Sequence, residues 1–223
     1  MCVSVERAYV ESAVYDRFVA AVTAKVTALR AGTDIGRLTS SDQHEVVRRH
    51  IEDALGRGAT AVAGGRDVES PTVLVGVDHD MLCMTEETFG PTLPIMRVAD
   101  EHEAVRLANA SRYGLSAVVF SGDRRRAERL ARRIDAGAVN INDVFANLFT
   151  LALPQAGWKE SGIGARGGRD AVTKFCRPQA IVAARLTPRS ELTWYPYTPA
   201  RRALVRHVSR FLGARGLRRR LGS

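Results

Sequence analysis

Cysteine is scarce in this chain: 223 residues hold three, Cys2, Cys83 and Cys176, an odd number at wide spacing. That spacing excludes a disulfide framework, and no Cys-x-x-Cys pair is present to hold a metal, so reduced thiols are expected. Long hydrophobic runs are also lacking. No stretch of about 18 apolar residues could span a bilayer. The N-terminal residues have neither the basic nor the apolar segment of a signal peptide, so a cytoplasmic protein is expected. The five histidines are scattered. Without metal-ligand spacing they predict no metal site, and His44 and His50 are expected on the solvent side of their helix. The glycine-rich stretch 161–168 lacks the Gly-x-x-x-x-Gly-Lys-Ser/Thr spacing of a phosphate loop. Internal repeats and low-complexity linkers are missing before the C-terminal tail.

Acid is absent from one segment. From Arg201 to the end lie Arg201, Arg202, Arg206, Arg210, Arg215, Arg218, Arg219 and Arg220 with no Asp or Glu among them, and these eight account for nearly all of the net charge of +9. The basicity therefore belongs to a tail and not to the folded body. No nucleic-acid module accompanies it, so nucleic acid is not an expected partner.

What is present suits a folded domain: 45% hydrophobic and 26% charged residues, enough for one core of ordinary size. Val3 to Val10 alternates apolar and polar residues, as a half-buried strand does. Ser12 can cap a helix with Phe18, Val22, Val26 and Leu29 at helical spacing, ending before Gly32. Ser40-Ser41 precedes a second helix that buries Val46, Val47, Ile51 and Leu55 and stops near Gly58. Ala61–Ala63 and Thr72–Val75 read as short strands. Then follow a strand at Pro94–Val98, a helix over Glu101–Ala110, the apolar run Leu115–Phe120, a helix over Arg124–Ile134 and a strand at Ala138–Asn142. This alternation predicts an α/β fold with a largely parallel sheet flanked by helices.

Five segments carry more than periodicity. They are Cys2-Val3-Ser4-Val5-Glu6-Arg7-Ala8-Tyr9-Val10, Glu87-Thr88-Phe89-Gly90-Pro91, Asn109 to Leu115, Val139-Asn140-Ile141-Asn142-Asp143, and Pro154 to Gly164. Their identity and order over roughly Cys2 to Arg185 resemble the C-terminal half of the aldehyde dehydrogenase family, and among its members the bacterial succinate-semialdehyde dehydrogenase-like ones. Taken singly, each residue has a plainer role. A lone cysteine is more often an inert small hydrophobe, Glu87 alone a solvated acid and Phe89 alone a core side chain.

The resemblance implies a catalytic domain over residues 1–177 and an oligomerisation-type strand over 178–186; residues 187–223 read as a basic amphipathic tail. It implies oxidation of a small aldehyde to the acid with NAD or NADP, through a thiohemiacetal and a thioester on a cysteine. By residue, Cys2 becomes the nucleophile, Glu87 the acceptor for the cofactor's ribose hydroxyls and Phe89 the neighbour of the nicotinamide ribose. Asn142, Ser161 and Gly162 line the substrate channel. The cofactor-binding fold, the water-activating glutamate and the oxyanion amide of the family have no matching positions. The chain is therefore expected to act as a C-terminal portion with a complementary N-terminal half, or to be an inactive remnant serving as an interaction or membrane-associated module. Gln155 and Ala156 depart from the family's Pro-Phe-Gly-Gly pattern at the border of the substrate entrance.

Pro178 to Arg185 resembles the strand with which family members extend a neighbour's sheet, implying a homo-oligomer; the same residues could instead complete this chain's own sheet. Beyond it, Pro199 follows Thr198 as a good first helical residue. Leu204, Val205, Val208, Phe211 and Leu212 fall on one face, opposite Arg202, Arg206 and Arg210. Such a helix either packs on the parent domain or attaches to an anionic membrane surface.

Overall fold

Period-two burial organises the first half of the chain. In the computed structural model, which describes residues 2–65, 67–185, 188–191 and 194–213, four strands form one sheet. They are β1 (Ala8–Glu11), β2 (Thr60–Ala63), β3 (Thr72–Val75) and β4 (Thr92–Val98), in the order β1-β4-β3-β2. The pairs β1–β4 and β3–β4 are parallel, and β2 runs antiparallel to β3 at one edge. Ala8, Val10, Val73, Val75, Leu93 and Ile95 point to one face, where Tyr15, Val19, Val22 and Val26 of helix α1 (Ser12–Thr27) cover them. Tyr9, Leu74 and Met96 point to the other face. There they meet Ala54 of α2 (Ser41–Gly56) and Cys83 and Met84 of the short α3 (Leu82–Thr85). A register shift between Ala61 and Ala63 lets these two residues of β2 serve opposite faces. Burial on both faces is what a parallel sheet requires, and it makes an α/β sandwich of three layers.

Three expectations change here. The strand starts at Ala8 and not at Val3. Residues 2–7 leave the sheet because Glu6 and Arg7 are engaged elsewhere: Arg7 donates to the carbonyls of Met84 (2.5 Å) and Glu86 (3.2 Å). Ser12 does not cap α1; its hydroxyl donates to the Val98 carbonyl at 2.9 Å, tying the helix start to the end of β4. The helix ends at Thr27, leaving Leu29 41% exposed. By contrast Ser40 does cap α2, accepting from the Gln43 amide.

The second half adds α4 (Glu101–Ala110), capped by Asp100, then β5 (Tyr113–Gly114), β6 (Ser116–Val119), α5 (Arg124–Ala131) and β7 (Ala138–Ile141). The parallel pair β6–β7 with α5 between them is a crossover unit. Arg126 of α5 binds Glu11 at 2.6 Å and also Glu101, linking this unit to β1 and α4. After α6 (Ala146–Phe149), β8 (Gln155–Ala156) pairs antiparallel with β10 (Ala165–Arg166), and β9 (Trp158–Lys159) with β5. A single turn, α7 (Asp170–Thr173), follows.

The chain divides into two compact units, Met1–Arg177 and Pro178–Ser223. In the second, residues 178–185 form no strand, and a helix α8 (Pro199–Gly213) starts at Pro199 as the sequence predicts. None of its described residues is buried. Residues 214–223, with Arg215, Arg218, Arg219 and Arg220, lie outside the described residues, as do Leu186 and Thr187 where the strand and tail boundaries were expected.

Candidate active site

Because residues 2–7 are not absorbed into the sheet, Cys2 is exposed, and it borders a cavity of about 320 Å³. Val3, Asn147, Gln155, Ser161, Gly162, Arg166 and Lys174 are among the other lining residues. Three devices hold this wall. Gly137, just before β7, lets the Gln155–Ala156 segment approach so closely that a Cβ there would sit 1.6 Å from the Ala156 carbonyl oxygen. Asn140 of β7 donates to Asn147 at 2.7 Å and accepts from its amide, and Gln155 donates to the Asn147 carbonyl at 2.6 Å. Lys159 donates to the carbonyls of Asn109 (2.8 Å) and Ser111 (2.9 Å) at the end of α4, while the Ser161 hydroxyl accepts from the Gly114 amide. The loop bearing Ser161 and Gly162 is thus pinned from two sides.

Electrostatically the cavity is cationic. Arg166 donates to the neutral Gln155 side chain and Lys174 to the Ala165 carbonyl, and neither has an ion-pair partner among the described residues. The described lining residues include no acid.

Glu87 and Phe89 are not among the lining residues, but one side chain ties them to the Cys2 segment. The Glu6 carboxylate, four residues on from Cys2, accepts from the amides of Thr88 (2.8 Å) and Phe89 (3.2 Å). Helix α2 holds the same segment from behind: Gln43 donates to the Thr88 carbonyl, and His50 Nδ1 hydrogen-bonds the Thr88 hydroxyl at 3.0 Å. With Thr88 buried and gripped at its amide, carbonyl and hydroxyl, its two neighbours are turned outward. Phe89 is 42% exposed with φ at 46°, a left-handed conformation costly for a bulky side chain. Glu87 is exposed and its carboxylate accepts no hydrogen bond among the described residues. Partial burial, and then the negative charge of Glu6, push its carboxyl above the usual range.

His50 corrects an expectation: it is 1% exposed and not on the solvent side. Burial holds its imidazole below the ordinary pKa, and its Nε2 is without a partner among the described residues. His44, six residues earlier, is partly exposed and hydrogen-bonds Glu69 at 2.8 Å. Asn142 is also placed apart from the cavity. Its side chain accepts from the Ser121 amide at 2.8 Å and donates to the Ser121 carbonyl at 2.9 Å, bridging the ends of β6 and β7. The polar side chain from this region that does border the cavity is Asn147. Sequence reasoning missed Glu6, Gln43, His50 and Asn147. The sequence offered only weak signals for them, such as a polar residue on the apolar side of α2. No group of three or more His, Cys, Asp or Glu side chains among the described residues could hold a metal.

Comparison with known proteins places this arrangement. The 4,4'-diapolycopene aldehyde oxidase of a Methylomonas species is 40% identical over 89% of this chain, which spans 39% of that protein. The solved structure of succinate-semialdehyde dehydrogenase from Burkholderia pseudomallei superposes with a TM-score of 0.73 at 36% identity, over 78% of this chain and 38% of that one. An NADP-dependent glyceraldehyde-3-phosphate dehydrogenase from Bacillus halodurans, solved with NADP, gives 0.71 at 35% identity, over 75% of this chain and 37% of that one. The chain therefore spans well under half the length of these relatives. The profile of the "Aldehyde dehydrogenase family" matches residues 1–181, a stretch that contains both the Cys2 segment and the loops meeting it at the cavity: the chain belongs to the aldehyde dehydrogenase family.

Proposed function

We propose that this chain supplies the nucleophile and the substrate wall of an NAD(P)-dependent oxidation of an aldehyde to a carboxylic acid. The observation that carries this reading is Cys2, exposed on a cavity with Ser161 and Gly162, and linked through Glu6 to the segment of Glu87 and Phe89. Cys2 as thiolate adds to the aldehyde carbon, forming a C–S bond as the carbonyl π pair moves to oxygen. NAD or NADP, when bound, accepts the two electrons and the hydrogen of that carbon, and water then cleaves the thioester to release the acid and the thiol. Glu87 fits the cofactor on chemical grounds. An exposed carboxylate with no donor of its own can accept from two ribose hydroxyls, and Phe89 beside it offers an apolar ring face. Ser161, Gly162 and Asn147 wall the substrate, and Asn142 acts on the channel only by holding β6 to β7. Arg166 and Lys174 favour an aldehyde that itself bears an anionic group. The remaining parts of the reaction are provided by a complementary N-terminal portion, and the assembly is a homo-oligomer.

The test is reconstitution. The chain, co-expressed with the N-terminal portion of a relative such as the Methylomonas protein, is expected to reduce nicotinamide in the presence of short aldehydes. Cys2→Ser should abolish that reduction. Turnover unaffected by Cys2→Ser would overturn the assignment of the nucleophile. A properly folded complex without turnover would favour the non-catalytic reading.

A further inference from the structure

Residues 182–223 lie beyond the stretch that the family profile matches, and the chemistry above leaves them without a role. Within them, α8 is two-faced. At 100° per residue, Leu204, Val205, Val208, Phe211 and Leu212 form one stripe, and Arg202, Arg206 and Arg210 stand opposite. Within the stripe, Leu204 is 46%, Val208 40% and Leu212 70% exposed. Arg201 interrupts the stripe, but its guanidinium turns back to donate to the Trp194 carbonyl (3.1 Å) and the Ser190 hydroxyl (3.0 Å). That pair of bonds ties an aromatic segment to the first turn of α8, which Thr198 caps by accepting from the Arg201 amide. Trp194, Tyr195 and Tyr197 in this segment are 51%, 82% and 45% exposed. From Arg201 onward there are eight arginines and no acid; the four beyond 213 count here by charge alone.

We propose that α8 and the aromatic segment before it dock this protein on an anionic lipid surface, with the helix axis in the plane of the interface. The apolar stripe enters the acyl boundary, the arginines stay with the headgroup phosphates, and the aromatic rings sit at headgroup depth. Neither signal suffices alone, since stable peripheral attachment takes an apolar element plus a basic patch, and this tail carries both. Spanning is excluded for α8, because no helix among the described residues is long and apolar enough to cross a membrane. A nucleic acid would match the arginines but leave the apolar stripe and the aromatic segment without a role.

The test uses the full chain with sedimented vesicles. Vesicles containing phosphatidylglycerol should bind it at least about tenfold more tightly than pure phosphatidylcholine, and added salt should weaken the binding. Arg202→Gln, Arg206→Gln and Arg210→Gln should each weaken it about fivefold. Insertion is read separately. Trp194 fluorescence should shift to the blue on vesicle addition, and that shift should vanish in Trp194→Phe and in the double variant Val208→Ser/Leu212→Ser. Equal affinity for both lipids, or no loss on arginine removal, overturns the proposal. So does binding that the Val208→Ser/Leu212→Ser variant leaves unchanged. Tighter binding to a duplex oligonucleotide than to the vesicles makes the tail a polyanion binder and overturns it too. The alkylation rate of Cys2 in these variants should match the parent chain, so the tail's failure or success is independent of the enzyme reading.

Discussion

At the scale of single residues, the three thiols differ by environment and not by sequence. Cys2 and Cys176 are exposed, whereas Cys83 is fully buried beneath α2, where burial first and the charge of Asp53 second push its thiol up to about 11. The thiolate is the reactive species, and a pKa raised from the ordinary 9.0 to that value cuts its population by roughly two orders of magnitude before access is counted. Alkylation near neutral pH, read by mass spectrometry, should therefore modify Cys2 and Cys176 and leave Cys83 untouched until the chain unfolds; prompt modification of Cys83 would refute the packing described for α3. Glu6 gives a second prediction. Its carboxylate satisfies two backbone donors on the Glu87–Phe89 segment, and hydrogen bonds to an ionised acceptor contribute about 1.5–3 kcal/mol. Glu6→Ala should lower stability in urea by about 1–3 kcal/mol, with part regained in Glu6→Gln, which keeps an acceptor without the charge. Removing that charge should also bring the Glu87 carboxyl down, since Glu6 is the second cause of its rise. An unaltered Glu87 titration in Glu6→Gln, followed by NMR, would show that the two carboxylates do not face each other.

At the scale of elements, α2 carries two histidines whose titrations oppose each other. His50 is held below its ordinary pKa by burial, so the native state stays neutral while the unfolded chain takes up a proton below about pH 6.5. Its contribution is fully present above that pH and is lost as pH falls. His44 is raised, chiefly by its hydrogen bond to Glu69, so its contribution is present below about pH 6.5 and is lost as pH rises through the raised value. Urea unfolding across this range should show stability dropping on the acid side by up to about 1.4 kcal/mol per pH unit from His50, with that slope removed in His50→Gln. An acid slope that survives His50→Gln would assign the loss to the carboxylates instead. The same helix shows where sequence reasoning ends. The boundaries of β3 and α4 are legible to the residue because the short strand-forming run Thr72–Val75 after Pro71 and the helical stretch Glu101–Ala110 are local signals. The burial of His50 is not, because the Thr88 hydroxyl that makes it tolerable lies 38 residues away. Likewise the alternation of Val3 to Val10 looks like a strand throughout, and only the register Ala8↔Ile95 decides that pairing begins at Ala8. Cys2, Ser161 and Gly162, expected at the site from their motifs, line one cavity. The sequence reading assigns the channel to Asn142, whereas Asn147 borders the cavity, because which asparagine reaches it depends on the turn between β7 and α6.

At the scale of the whole molecule, residues 178–185 pose the remaining question of assembly. A strand-like apolar segment with an open edge presents a row of unpaired backbone donors and acceptors on which another strand can pair. Here Ile181 is 83% and Val182 92% exposed, and residues 178–185 make no backbone hydrogen bond among the described residues of one chain. A second copy is a partner that could satisfy both the segment's backbone groups and its apolar side chains. If so, assembly and fold are separable. Replacing Ile181 by Pro removes one backbone donor and replacing Val182 by Asp charges the buried face of the paired strand, while neither touches a core residue of the single chain. Sedimentation should find the parent chain as an oligomer at micromolar concentration and Ile181→Pro/Val182→Asp as a monomer, with circular dichroism and urea midpoint of the monomer close to those of the parent. A monomeric parent chain, or an oligomer indifferent to both substitutions, would leave the segment as a linker between the family domain and the basic tail.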